Sequence, residues 1–445
     1  MGADRTISIV EAVKEAGVIG AGGAGFPTHV KLDAEVETVI ANGAECEPLL
    51  STDVHLMTER AEDVVAGLKL AGEATNASRL IIALKRKYKQ ATAALEKAIG
   101  DDDIELYLMD NYYPAGDEVE MVHAVTEKIV PEGGIPLDVG IVVSNVNTLL
   151  NVHLAQSENQ PVTSRWITVA GELHEPYIAE APVGTKAGDL LAAAGLATEE
   201  PTLITGGPMT GDLVDLEHGI TKTCGALIAL PPDNTTAVRK RRTPQVEYRR
   251  GQSTCDQCYE CTIVCPRNHV GHDLYPHKLM RNLFIAPEYS KADLTSVYLC
   301  CECGLCDMYA CPLDLSPRDV IVQLRGELQE AGIDNPHNRE ELQEHPEKEF
   351  RKVNADRLLT RIGLKKYDLH DFPLREIKPG EVSISLDQHV GPPSKPTVEE
   401  GQRVAKGDLI ADIPQGTLGS KLHASIDGTI TEINDSQIEI TAEED

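Results

Sequence analysis

The chain is 445 residues long and carries a formal net charge of −30, enough length for several domains with cores of their own. So acidic a surface excludes a nucleic-acid binder, which needs clustered cations. There is no run of eighteen apolar residues and no charged-then-apolar start, so neither a membrane span nor a secretory leader is expected; eleven cysteines point to a reducing, cytoplasmic setting.

Met1-Gly2-Ala3-Asp4-Arg5-Thr6 formally fits a myristoylation pattern, but a pattern this loose arises readily by chance. Helical spacing of Ile7, Val10, Val13 and Lys14 then leads into Gly20-Ala21-Gly22-Gly23-Ala24-Gly25-Phe26-Pro27-Thr28. Four glycines in six residues let backbone amides approach a phosphate, and Lys31 offers countercharge. Neither the Walker pattern nor Gly-x-Gly-x-x-Gly fits, so the loop alone could equally be a tight turn. Phe26 is one of four phenylalanines in the chain, set in a glycine loop rather than an apolar run.

From Trp166 to Pro231 apolar and polar residues alternate between glycine turns. Trp166–Gly171 reads as a strand, Asp189–Gly195 as a short helix, and Thr205-Gly206-Gly207-Pro208-Met209 as a tight loop. Cys224 reads as a small buried apolar residue, and Cys46 is given no redox role. The basic stretch Arg239-Lys240-Arg241-Arg242, with Arg249-Arg250, reads as a solvated linker, the alternative being a docking patch for an acidic electron carrier.

The chemistry lies in two cysteine motifs, Cys255-x2-Cys258-x2-Cys261-x3-Cys265-Pro266 and Cys300-x2-Cys303-x2-Cys306-x4-Cys311-Pro312. Three cysteines at two-residue intervals wrap one turn of backbone around an iron–sulfur cubane. Zinc sites instead use two separated Cys-x2-Cys pairs. The doubled motif resembles the two-cluster ferredoxins, where the fourth thiolate comes from the other motif. That resemblance implies one [4Fe–4S] cluster on Cys255, Cys258, Cys261 and Cys311, and another on Cys300, Cys303, Cys306 and Cys265. Cys301 falls one residue out of register. Arg325 to Arg375 reads as charged helices, and Ser383 to Thr441 as short strands with repeated turns. That last stretch resembles a lipoyl or biotinyl carrier fold, but Lys421 lacks the carrier-lysine context, so a structural module is expected.

Segments after the glycine loop make a wider resemblance specific. Ala41-Asn42-Gly43-Ala44-Glu45-Cys46-Glu47-Pro48 with Asp53, Tyr113-Pro114-Ala115-Gly116-Asp117-Glu118, and Val143-Ser144-Asn145-Val146-Asn147-Thr148-Leu149 follow in order. Together they are similar to the FMN-binding 51-kilodalton subunit family of respiratory complex I. The departures are Ala44 for an acid, Ser144 for an asparagine and Asp117 for a glutamate. The Gly-Ala-Glu-Cys-Glu-Pro and Tyr-Pro-x-Gly variants resemble a branch holding the C subunit of Rnf-type complexes and the cobalamin reductases of propanediol-utilisation microcompartments. In the Rnf subunit the barrel-sandwich domain comes first; here the β-rich module is last, which favours the cobalamin-reductase-like group.

The resemblance implies an α/β multidomain fold. Residues 1–160 would form a Rossmann-like FMN/NADH domain, 161–235 a soluble-ligand-binding β-grasp domain, and 236–330 a helical ferredoxin-like two-cluster domain. A helical linker over 331–375 and a barrel-sandwich hybrid over 376–445 would follow. Gly22, Gly23, Gly25, Lys31, Asn42, Asn145 and Thr148 would surround FMN, with Tyr113 and Gly116 alongside; Phe26, Glu45, Glu47 and Glu118 would face NADH. The implied activity is an NADH-dependent reductase passing electrons through FMN and two [4Fe–4S] clusters to cobalamin or a corrinoid-carrying protein. The alternatives are an electron-input subunit of Rnf or proline-reductase type serving another redox protein, and an adaptor that no longer oxidises NADH. No dedicated catalytic acid or base is implied, since the cofactors carry the chemistry. A location inside a bacterial microcompartment follows from the same likeness, with self-association into a homo-oligomer left open.

Overall fold

The structure, a computed structural model, describes residues 7–282, 291–369 and 372–443; the Met1–Thr6 pattern lies outside them. Four strands form a wholly parallel sheet in the order Ile104–Met109, Arg79–Lys85, Thr38–Gly43, Ile141–Asn145. The central strands are nearly continuous apolar runs because helices cover both faces. Thr38–Gly43 lies between a strand that follows it directly and one that returns from residue 141. Its carboxyl end is therefore a topological switch point, where doubly wound sheets open a crevice. On one face Ala61–Ala74 packs against Val146–Glu158. Their close approach requires Gly67, because a Cβ there would lie 1.9 Å from the Leu149 carbonyl oxygen.

A six-stranded mixed sheet follows, in the order Leu374–Glu376, Tyr177–Pro182, Ser164–Gly171, Ala226–Leu230, Thr202–Thr205, Asp212–Val214. Ala226–Leu230 runs parallel to Ser164–Gly171, and the helix Ala187–Ala194 covers one face. At the C-terminus a four-stranded and a three-stranded sheet enclose one small core of residues such as Val382, Ile410 and Ile440. Lys421 is pinned to the first helix by an ion pair with Glu15 at 2.7 Å, which fits a structural module.

Two expectations change. The stretch after Pro317–Glu330 is not a run of charged helices: Pro336 and Pro346 interrupt it, and its helical parts are the short Lys348–Arg351 and Ala355–Arg361 and the 3-10 turn Lys365–Tyr367. Its irregular part is held by tertiary bonds instead, with Arg339 on Glu132 at 2.6 Å and the His345 amide donating to the His269 carbonyl. Residues 374–376 then join the mixed sheet as an edge strand. Four of the six cations in the basic stretch are engaged by the fold instead of lying free on a linker, while Arg241 and Arg249 are exposed. Arg239 and Arg242 both reach the Asp314 carboxylate at 2.5 Å, Arg250 pairs with Glu247, and Lys240 donates to the Met209 carbonyl. These cations hold the cysteine-bearing region against the mixed sheet. Among the described residues no helix is long and apolar enough to cross a membrane.

Candidate functional site

At the switch point Asn42 and Asn145 are register partners on adjacent strands. The Asn42 side chain donates to the Gly116 carbonyl at 2.9 Å, and that of Asn145 donates to Asp53 at 2.7 Å while capping the helix Val146–Glu158. Thr148, on that helix, accepts the Ala21 amide at 2.9 Å and so fixes the root of the glycine loop. The resulting cavity is lined by Gly22, Gly23, Asn42, Glu45, Glu47, Gly116 and Asn145 from the sequence-derived set.

The remaining residues of that set lie around this cavity without lining it. Gly25 is buried beneath the loop, at φ 65°, and Phe26 is half-buried beside it. Lys31 is paired with Glu118 at 2.8 Å and donates to the Val143 carbonyl at 2.6 Å, so two predicted ligands meet each other here. Glu47 accepts from the Met209 and Thr210 amides at 2.8 and 3.0 Å, which joins the acidic segment to the mixed sheet's glycine loop. Burial and the neighbouring Asp53 carboxylate push Glu45 up to about 8, and burial raises the Cys46 thiol to about 12.

Sequence reasoning missed the far wall of the cavity. Arg165, Gly206, Gly207 and Thr223 come from the mixed sheet and its loops. Arg165 is 3% exposed and donates to the Cys224 and Ala21 carbonyls at 2.9 and 2.8 Å, but its Nη1 has no partner. A buried cation with unspent donors beside a glycine loop suits an anionic, oxygen-rich ligand such as FMN. The local signal was slight: an arginine within a strand otherwise rich in apolar residues.

The cysteines gather at two further cavities. One is lined by Cys255, Cys258, Cys261 and Cys311; the other by Cys265, Cys300, Cys303 and Cys306, with Cys301 also on its wall. The two motif loops share one backbone pattern. Gln257 and Tyr259 have φ of 60° and 74°, and Glu302 and Gly304 have φ of 57° and 75°. That match equates Cys300 with Cys255, and Cys301 with Asp256. The extra residue in Cys306-x4-Cys311 is absorbed by a π-helical turn over Leu305–Ala310, where the first motif uses the α-helical Glu260–Ile263.

Backbone amides of Glu302 and Leu315 point at the sulfurs of Cys300 and Cys311, both at 3.3 Å. Such donors stabilise thiolate sulfur. Burial pushes Cys265 and Cys300 up to about 12, so a strongly cationic core is what would draw their protons off. Among the described residues no three metal-ligating side chains converge as tightly as a single ion demands. The thiols instead surround a space, an arrangement that fits a cluster.

Residues 13–154 match the Nuo51 FMN-binding domain, 254–316 the 4Fe-4S dicluster domain, and 365–444 the RnfC barrel sandwich hybrid domain. With the crevice at the switch point and the doubled thiol loops, they define the class: a flavin- and iron–sulfur-containing oxidoreductase. The chain is 39% identical over 440 residues to the cobalamin reductase PduS of Citrobacter freundii, covering 97% of this chain and 96% of that one. It is also 39% identical to the PduS of Salmonella typhimurium, over 97% of this chain and 96% of that one. The chain belongs to the cobalamin reductase PduS family. Among solved structures, an NAD+-reducing [NiFe]-hydrogenase in the H2-reduced state shares the fold at a TM-score of 0.50 and 22% identity, over 74% of this chain and 63% of that one.

Proposed function

We propose that the chain is an NADH-dependent reductase that moves electrons through FMN and two [4Fe–4S] clusters to a corrinoid. Family membership supports the acceptor, since the PduS relatives are named cobalamin reductases. The observation that carries the wider reading is a shared wall. Glu47 lines the switch-point cavity, and Tyr113, 3.4 Å from it, donates to the Cys303 carbonyl at 2.7 Å on the cysteine side.

In this reading FMN would lie between the glycine loop and Arg165, held at Asn42, Asn145 and the Gly116 turn. When bound, the flavin supplies the exchange between two-electron and one-electron chemistry, and the clusters supply one-electron transfer. Arg165 supplies fixed positive charge, the Thr148 bond to Ala21 holds the loop's backbone amides in place, and the Gly206–Thr210 turn shields the site from water. The thiol sets would be Cys255, Cys258, Cys261 with Cys311, and Cys300, Cys303, Cys306 with Cys265. We read the mixed sheet as a β-grasp domain, and extend the reading to a location inside a microcompartment.

A second reading is favoured by one observation. Glu47 and Glu118, expected to face NADH, are already engaged by the Met209 and Thr210 amides and by Lys31. An adaptor that receives electrons from another protein would leave both so engaged. Anaerobically purified protein separates the two: about eight irons, one FMN, bleaching of flavin absorbance by NADH and reduction of cob(III)alamin support the reductase. An NADH-inert flavin in iron-replete protein supports the adaptor, and stoichiometric zinc or an absence of flavin defeats both.

A further inference from the structure

The two thiol sets are not placed alike. The wall around Cys265, Cys300, Cys303 and Cys306 meets the surroundings of the switch-point cavity in three places, two on the parallel-sheet unit and one on a loop of the mixed sheet. Tyr113 Oη donates to the Cys303 carbonyl at 2.7 Å. Arg267, two residues after Cys265, grips Asp117 at 2.6 and 3.0 Å, and Asp117 follows the Gly116 turn directly. The loop that carries Gly207 and Thr210 runs onto the same cavity: a Cβ on Gly304 would lie 3.3 Å from the Met209 carbonyl oxygen.

The other cavity has none of this. Both cavities are walled by the cysteine-bearing region itself, between residues 255 and 321, so what separates them is the outer contacts of those walls, and Tyr113, Asp117 and the Met209 loop all fall on the Cys265, Cys300, Cys303 and Cys306 side. Cys258 and its neighbours Asp256 and Glu260 are solvent-exposed. Short stretches of chain join the two cavities, because Cys261 lies in the helix Glu260–Ile263 and Cys265 just beyond it, while Cys306 lies in the π-helical turn and Cys311 caps its end.

We propose that the two thiol sets work in fixed order: Cys265, Cys300, Cys303 and Cys306 hold the flavin-proximal cluster, and Cys255, Cys258, Cys261 and Cys311 the terminal one, with electrons leaving at the exposed Cys258 edge. Per NADH oxidised to NAD+ and a proton, two electrons leave that edge singly. They reduce two one-electron acceptors, or one corrinoid twice. Tyr113 is then a positioning residue, tying the switch-point unit to the proximal loop.

This order rests on the flavin and cluster reading above, and the test keeps the two apart. If that reading fails, wild-type protein lacks flavin bleaching or one of two cluster signals. If only the order fails, both cofactors are present and fill in the other sequence. In wild-type protein frozen at intervals after mixing with NADH, two paramagnetic signals should rise one after the other. Tyr113→Phe removes the bond to the Cys303 carbonyl with the ring kept, and should shift the first-rising signal only. Cys300→Ser should keep flavin bleaching by NADH while the remaining cluster is reduced by dithionite but at least tenfold more slowly by NADH. Cys258→Ser should leave the first-rising signal intact. With both signals present in wild-type protein, a Tyr113→Phe shift in the later signal or in neither, loss of the first-rising signal in Cys258→Ser, or NADH reduction of the remaining cluster at wild-type rate in Cys300→Ser would each overturn the order.

Discussion

Arg267 and Asp117 form a two-pronged ion pair between the cysteine-bearing region and the helix that follows the Gly116 turn. Nη1–Oδ1 is 2.6 Å and Nη2–Oδ2 is 3.0 Å, with side chains only 12% and 16% exposed. Asp117 also caps the helix Glu118–Thr126 through the Val119 and Glu120 amides. Burial alone would lift its carboxyl; Arg267 and the two amides more than reverse that and hold it below the usual range. Replacing Arg267 with glutamine strands a buried carboxylate on two amide bonds. An exposed pair would be worth about 0–1 kcal/mol, but removing one partner of a buried pair costs about 3–5 kcal/mol, and the low exposure of both side chains places this pair in the second class. Asp117→Asn keeps a good capping side chain and removes the charge. The double variant should therefore be more stable than the sum of the single losses by about 2 kcal/mol. Anaerobic guanidinium unfolding of the iron-loaded protein, followed by both flavin fluorescence and circular dichroism because the chain has several units, reads these numbers. A loss under about 1 kcal/mol for Arg267→Gln, or single effects that add within about 0.5 kcal/mol, would refute the reasoning.

Cys300→Ala should lower iron toward half and stop transfer to the acceptor, whereas Cys301→Ala should keep nearly full iron; the reverse pattern in iron analysis would overturn the ligand register. Gly67→Ala places a Cβ 1.9 Å from the Leu149 carbonyl oxygen, so the two helices must part and the melting temperature should drop by an amount matching about 1–3 kcal/mol or more. Buried Lys222 donates to the Gly17 and Lys421 carbonyls, and burial pushes it down to about 7 from 10.5. Between those values the unfolded chain holds a proton the folded one has lost, so stability should rise with pH from about 7 to 10, by up to about 1.4 kcal/mol per unit. Lys222→Met should flatten that slope, as melting at pH 7.5 and 9.5 would show.

What the sequence legibly carried was local. Cysteine spacing within each motif, the glycine loop, and the Asn42 and Asn145 segments are each written over a few residues, and backbone geometry turns such spacing into a loop that presents side chains together. Even the extra residue before Cys311 is a sequence fact, though only the π-helical turn shows how it is absorbed. The prolines that break the 332–347 stretch were also there to be read, and outweigh its charged, helix-favouring composition.

Tertiary structure decided the partners of charged and polar groups. Lys31 pairs with Glu118 across 87 residues, Glu47 with the Thr210 amide across 163, and Arg165 reaches the Ala21 carbonyl across 144. No periodicity encodes such meetings, because a long side chain takes whichever counter-charge or carbonyl the packed sheets bring within about 3 Å. The same reason made Arg239 and Arg242 clamps on Asp314. It also made one of two nearly identical cysteine motifs the neighbour of the switch-point cavity, since the motifs are alike in sequence and differ only in what the fold sets beside them.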